Sequence, residues 1–253
     1  MATRCVLPFA LACIVSVEGA DFQIRPMLER NDSGWVVRLD CAQPVVEVPV
    51  NRPRPAVPLH PWRRNIVTTV FWIGENGGAA TRNIQSSWDI RWSEAFGGTD
   101  HPEKREGYRP SGFNPKQNPF YIALPYNDIG ARNVLKPEAV RVIPWFRRTY
   151  RNAHTSVIKG RWVAIRKGSV VCYAQWEDSG PTRTDDFAYV FHGSPPAGGI
   201  DAPGLDVSPA VRDFLKLSGR DRTDWRFVET SEVPDGPWCR DGANNIFAAV
   251  SPE

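Results

Sequence analysis

The chain has little of what most metal, nucleotide and serine-hydrolase chemistries need. Its four histidines (His60, His101, His154 and His192) are isolated, and no HxH, HExxH or CxxC spacing occurs. Zinc needs ligands at such spacings, so no metal site is expected. The glycine-rich GENGG and AGG stretches lack the strand–loop–helix setting that cradles phosphate, so no nucleotide cofactor is expected. No serine sits in a G-x-S-x-G elbow. Cys172 or Cys239 with His192 as a nucleophilic pair is a lesser alternative. Charge of one sign is also scarce: 31 Lys and Arg oppose 28 Asp and Glu, a net of +3, and the basic residues are spread along the chain. Nucleic-acid binding would need Lys/Arg clustering and a recognisable module, so it is excluded as an expectation.

Tryptophan, by contrast, is abundant: ten Trp against two Met in 253 residues. That content fits either flat stacking surfaces, as on sugar-binding faces, or a β-rich core. The N-terminus reads as an export signal over residues 1–20. Arg4 is followed by an apolar run from Cys5 to Val17 and by the small residues Gly19 and Ala20. The run is too short to span a bilayer, so the mature chain is expected to be secreted or periplasmic, with no integral membrane segment. Cys41, Cys172 and Cys239 then remain, enough for one disulfide or none.

Residues 21–43 form an extension with two strand-like pieces around Asn31–Gly34, and residues 44–64 form a linker carrying six prolines. From residue 65 to 240 the pattern is short strands and turn-rich loops, with a tail over 241–253. Ile66–Gly74, PFYIALPYND, RVIPWF, KGRWVAIRKGS, VVCYAQWED and DWRFVE all read as strands, and Lys167-Gly168-Ser169 joins two of them as a hairpin. The stretch from Glu75 to Asn118 is too long for a simple connection and is expected to be an ordered functional loop. DVSPAVRDFLKLSG carries helix signals: Ser208 as N-cap, Pro209 at the first position, Val211, Phe214 and Leu215 on one face, and Gly219 as the stop. No alternating βαβ pattern occurs, which argues for a small β-barrel over a parallel sheet.

Asp178 ends the strand CYAQWED, and Asp206 immediately precedes the capped helix. Two carboxylates delivered by two element ends can meet in one cleft, the arrangement that polysaccharide cleavage uses. On this arrangement Asp178, next to a strand end beneath aromatic cover, is the first choice for general acid/base. Asp206 is the second, orienting sugar or stabilising an oxocarbenium-like charge. Each also has a structural reading, Asp178 as a turn residue and Asp206 as a helix-start acceptor. Glu75 and Asp128 are further acidic candidates for substrate binding. Tyr126 and Trp176 could stack on sugar rings, and Trp176 alternates to the same strand face as Asp178. Glu177 falls on the opposite face, where it is expected to meet solvent or an arginine.

The order Asp178-Ser179-Gly180-Pro181, loop, Asp206-Val207-Ser208, short helix, strand resembles the rare-lipoprotein-A and expansin group. In the group's lytic transglycosylases a strand ends in Asp-Arg-Gly-Pro and a loop leads to Asp-Leu-Ser and a helix. The resemblance covers roughly residues 66–230, and its specific part is the final third. It implies a mainly β fold: a six-stranded double-psi β-barrel with one or two short helices, to which this chain adds a long loop insertion. It also implies an exported protein acting on peptidoglycan or another wall polysaccharide, cleaving glycan strands as a lytic transglycosylase with Asp178 as acid/base and no cofactor. The departures are Ser179 in place of the group's Arg, Ile122, Ala123 or Leu124 where the group has His, and an insertion between Glu75 and Asn118 far longer than the group's loop. They leave two alternatives: an expansin-like module that binds and loosens glycan, and an inactive barrel used for protein interaction.

Overall fold

The computed structural model describes residues 26–31, 34–39, 60–77, 81–82 and 85–248. The expected export signal, Cys41 and residues 44–59 of the proline-rich linker lie outside these residues. Two compact units divide the chain, residues 1–56 and 57–253. Within the first, β1 (Pro26–Asn31) and β2 (Gly34–Leu39) pair antiparallel, with Asn31 opposite Gly34.

The second unit opens with β3 (Arg63–Val70). The stretch that follows carries β4 (Asn76–Gly77), β5 (Thr81–Arg82), α1 (Trp92–Phe96), β6 (Arg105–Glu106) and β7 (Arg109–Pro110). Then come β8 (Tyr121–Leu124), α2 (Ala139–Val142), α3 (Phe146–Thr149), β9 (Arg161–Lys167) and β10 (Val170–Ser179). The chain continues through α4 (Phe187–His192), β11 (Pro203–Val207), α5 (Pro209–Leu215) and β12 (Arg220–Phe227). The fold is mainly β, with short helices. Six strands close into a mixed barrel in the order β10-β8-β11-β3-β12-β9. The pairs β10–β8 and β11–β3 are parallel, the other four around the barrel are antiparallel, and β9 and β10 form the expected hairpin.

Alternation along β8 divides the core in two. Ile122 and Leu124 join the main apolar cluster with Val163, Ile165, Trp176 and Val207, whereas Tyr121 and Ala123 face a second cluster with Phe71, Ile73, Trp92 and Phe96. The Glu75–Asn118 stretch supplies much of this outer layer. It is fastened through buried Asp100, which accepts hydrogen bonds from the Tyr121 hydroxyl (2.9 Å) and from Arg105. Tryptophan serves the core: Trp92, Trp145, Trp162, Trp176, Trp225 and Trp238 are buried, while Trp62, Trp72 and Trp88 are half-buried. None of these nine offers an open sugar platform, so the stacking-surface reading gives way to the core reading.

Three local expectations change. RVIPWF is not a strand: Ala139, Val142 and Ile143 are buried at 0, 3 and 4, and Pro144 separates α2 from α3. β11 uses GLDV, a stretch too short and glycine-interrupted to read as a strand. The helix expected over DVSPAVRDFLKLSG ends at Lys216, whose φ of 53° provides the left-handed cap, before Gly219 is reached.

Ser208 acts as expected. Its Oγ accepts from the Val211 N–H (3.4 Å) and also from the Tyr121 N–H (3.3 Å), so one buried hydroxyl caps α5 and ties it to β8. Ser208→Ala should lower unfolding free energy by about 1–2 kcal/mol. Urea denaturation should show this as a lower midpoint at unchanged slope; an unchanged midpoint would refute the cap.

Candidate active site

Strand register brings the two aspartates together. Asp178 of β10 and Asp206 of β11 both pair with Ala123 of β8, one on each side, and Thr69 of β3 pairs with Asp206. Laterally paired residues point to the same face, so Asp178, Ala123, Asp206 and Thr69 form one row across four strands. Two strand spacings put the aspartate Cα atoms roughly 9–10 Å apart. The methyl of Ala123 between them leaves a cleft of about 350 Å³, whose lining also includes Phe71, Glu75, Ser179, Gly180, Pro181 and Thr182. A β-carbon on Gly180 would lie 3.8 Å from Asp206 Oδ2, so glycine keeps that wall thin.

A β-bulge at Glu177 sets this geometry. Pairing to β8 runs from Trp176 opposite Ile122 to Asp178 opposite Ala123, skipping Glu177. Simple alternation would keep Trp176 and Asp178 on one face; the extra residue re-aims the strand end. Trp176 stays fully buried, stacked near Phe227 at 5.8 Å, and its indole N–H donates to the Asp178 carbonyl (2.7 Å). Asp178 turns to the cleft instead. Glu177 is also not where alternation puts it. It is 3% exposed, accepts from Asn244 (3.1 Å) through Oε1, and its Oε2 has no hydrogen-bond partner among the described residues.

The two cleft aspartates differ in their hydrogen bonds. Asp178 Oδ1 accepts two backbone N–H groups, from Ser87 (2.8 Å) and Ser179 (2.7 Å), and the hydroxyls of these serines bond to each other. Burial raises the Asp178 pKa, and the two amides oppose the rise by stabilising the anion. Among the described residues Asp206 receives one donor, the Thr69 hydroxyl. Burial, with the neighbouring charges of Glu75 and Asp178, pushes its pKa up to about 6.

Asp128 and Tyr126 lie outside this cleft. Buried Asp128 accepts from the Val157 N–H (2.7 Å) and the Trp88 indole (3.2 Å), and its carbonyl accepts from the Lys136 N–H (2.7 Å). It therefore pins the loop between β8 and β9. Tyr126 is buried against Phe191 at 5.3 Å, with the Lys136 ammonium 5.0 Å from its ring. Sequence reasoning missed the cleft residues Thr69, Phe71 and Thr182, and Ser87, whose backbone N–H holds Asp178. Ser87 sits in a polar stretch far from Asp178 in sequence, and only register could place Thr69 beside Asp206.

Among the described residues no group of three His, Cys, Asp or Glu side chains is arranged to hold a metal ion, and no helix is long and apolar enough to cross a membrane. Cys172 and Cys239 are free thiols, and burial pushes the Cys172 pKa up. Compared with known proteins, the chain matches no family model and no curated protein.

Burial raises the Glu177 pKa from its ordinary 4.5 to about 7. A carboxyl raised on folding adds stability that is complete below its unfolded pKa and is lost as pH rises through the folded one. The melting temperature should therefore fall between pH 5 and pH 8, and Glu177→Gln should make that fall smaller by roughly 5 °C or more. Parallel curves for the two proteins would show that Glu177 is not the titrating group.

Proposed function

We propose that the chain is an exported glycan-cleaving protein of the lytic-transglycosylase kind, acting on peptidoglycan or a related wall polysaccharide. The observation that carries this reading is the common register of Asp178 and Asp206 on Ala123, which sets two carboxylates of unlike environment in one cleft. The resemblance in the final third of the barrel, including its double-psi reading, supports the same assignment. The acid/base role passes from Asp178 to Asp206. Two backbone amides favour the anion of Asp178, whereas Asp206 has one hydroxyl donor and carboxylate neighbours that favour its protonated form.

The reaction then needs few parts. The Asp206 proton passes to the glycosidic oxygen as the bond from that oxygen to the anomeric carbon breaks. Ionised Asp178 faces the positive charge that develops on the sugar. The sugar's own hydroxyl oxygen bonds to the anomeric carbon and gives its proton to the Asp206 carboxylate, restoring the acid. No water or cofactor enters. The expansin-like alternative, glycan loosening through exposed aromatics, is less well supported because most of the tryptophans are buried.

The mature chain incubated with purified peptidoglycan should release soluble anhydro-ended fragments detectable by mass spectrometry. Asp206→Asn should reduce turnover about 10²–10⁴-fold and Asp178→Asn about 10²–10³-fold, both with retained pelleting on the polymer. Wild-type kcat/KM should decline as pH rises above about 6, where Asp206 loses its proton. No fragments with retained pelleting would favour the loosening module; no fragments and no pelleting would remove the wall-polymer assignment.

A further inference from the structure

The basic residues, spread along the chain at first reading, have one marked concentration. Residues 131–160 hold seven Lys and Arg against the single acid Glu138, a net of +6, so the rest of a chain of net +3 carries −3. Within this segment Arg132, Arg141, Arg147, Arg148 and Arg151 are exposed. Arg141 lies on α2 and Arg147 and Arg148 on α3, two helices that pack on one another. Arg148 shares the Glu229 carboxylate (3.4 Å) with Arg161 (2.8 Å), one acid between two cations. Among the described residues Arg132, Arg141, Arg147 and Arg151 make no ion pair. Amid them Tyr150, 48% exposed, lies flat on Phe146 at 5.3 Å and 22°.

The fold attaches this segment to the cleft. It follows β8, which ends at Leu124, by way of the turn at 125–130. The Asn127 N–H (2.9 Å) and the Lys136 ammonium (2.8 Å) both donate to the Thr184 carbonyl, two residues after the cleft residue Thr182. A set of exposed guanidiniums outside a cleft that is itself lined by carboxylates suits a polymer whose anionic groups dock away from the cleft and whose neutral linkage enters it. Each guanidinium can meet a carboxylate or phosphate bidentately, and an exposed tyrosine face on a stacked partner suits a sugar ring. Nucleic acid fits less well. Helices of four residues are only about 6 Å long, too short to fill a groove, and one exposed ring offers no succession of stacking sites.

We infer that the α2–α3 face, through Arg141, Arg147, Arg151 and Tyr150, is a docking surface for an anionic polysaccharide. The inference rests on the glycan-cleaving reading but is tested by binding alone. Each exposed ion pair contributes a factor of about 1.5–5 in affinity, and the attraction must weaken as added salt shortens the screening length from about 10 Å at 0.1 M to about 3 Å at 1 M.

The test uses the full chain with polygalacturonate as the anionic glycan, dextran as a neutral one, and double-stranded DNA at equal charge concentration. Wild type should bind polygalacturonate in a salt-sensitive manner and above DNA, and should leave dextran unbound. The triple change Arg141→Gln, Arg147→Gln, Arg151→Gln should weaken binding at least about threefold at 0.1 M salt. The matching triple Lys variant should retain more of it, and Tyr150→Ala should weaken it without changing the salt dependence. An unweakened triple Gln variant with unchanged thermal stability, salt-insensitive binding, or tighter binding to DNA would each overturn the inference. Patch-dependent binding without glycan cleavage would leave it standing and overturn the cleavage reading; cleavage of peptidoglycan unaffected by the triple Gln change, with no polygalacturonate binding, would do the reverse.

Discussion

Strand β8 is paired on both sides, and its Ala123 is the one position to which both Asp178 and Asp206 are registered. The rest of the site depends on that constraint. Hydrogen-bonded strands lie about 4.8 Å apart, so once the register is set the two carboxylates are held near one another without any direct bond between them. A larger residue at 123 would occupy the space that the cleft needs. The outer apolar layer of Phe71, Trp92, Phe96 and Tyr121 packs against the same strand face and holds it in place. The insertion that supplies Trp92 and Phe96 to this layer also brings Ser87, whose backbone donates to Asp178.

Desolvation is the second organising influence. Asp128 and Glu177 are buried, Asp178 and Asp206 are half-buried, and desolvation is the first cause of the raised pKa in each. What separates their roles is the compensating hydrogen bonds. Asp128 spends its oxygens on a backbone amide and an indole and so fastens a loop. Asp178 is steadied by two amides, while Asp206 has one hydroxyl and the field of other carboxylates. Four similar side chains within one fold thereby acquire different proton affinities.

The elements legible in the sequence were those with local causes. The β9–β10 hairpin follows from its turn residues, and α5 follows from Ser208 and Pro209 at its start. The pairing of Asp178 with Asp206 as members of one cleft was also legible, because each ends or adjoins an element whose type was clear. RVIPWF was misread since a short apolar run has no decisive period, and its helical burial at Ala139, Val142 and Ile143 depends on contacts from distant elements. β11 was missed because its five residues become a strand only between β8 and β3.

The sequence by itself determined a β-rich chain of short strands with one well-capped helix, the balance of charge, and the identity of the acids that reach the cleft. Tertiary structure alone decided which faces those residues take. The bulge at Glu177 reverses the alternation that would have grouped Trp176 with Asp178, burying the first in the core and opening the second to the cleft. A bulge exists only relative to a partner strand. Its consequence therefore could not be read from residues 172–178 alone; it arises when β10 is laid against β8 and the barrel closes.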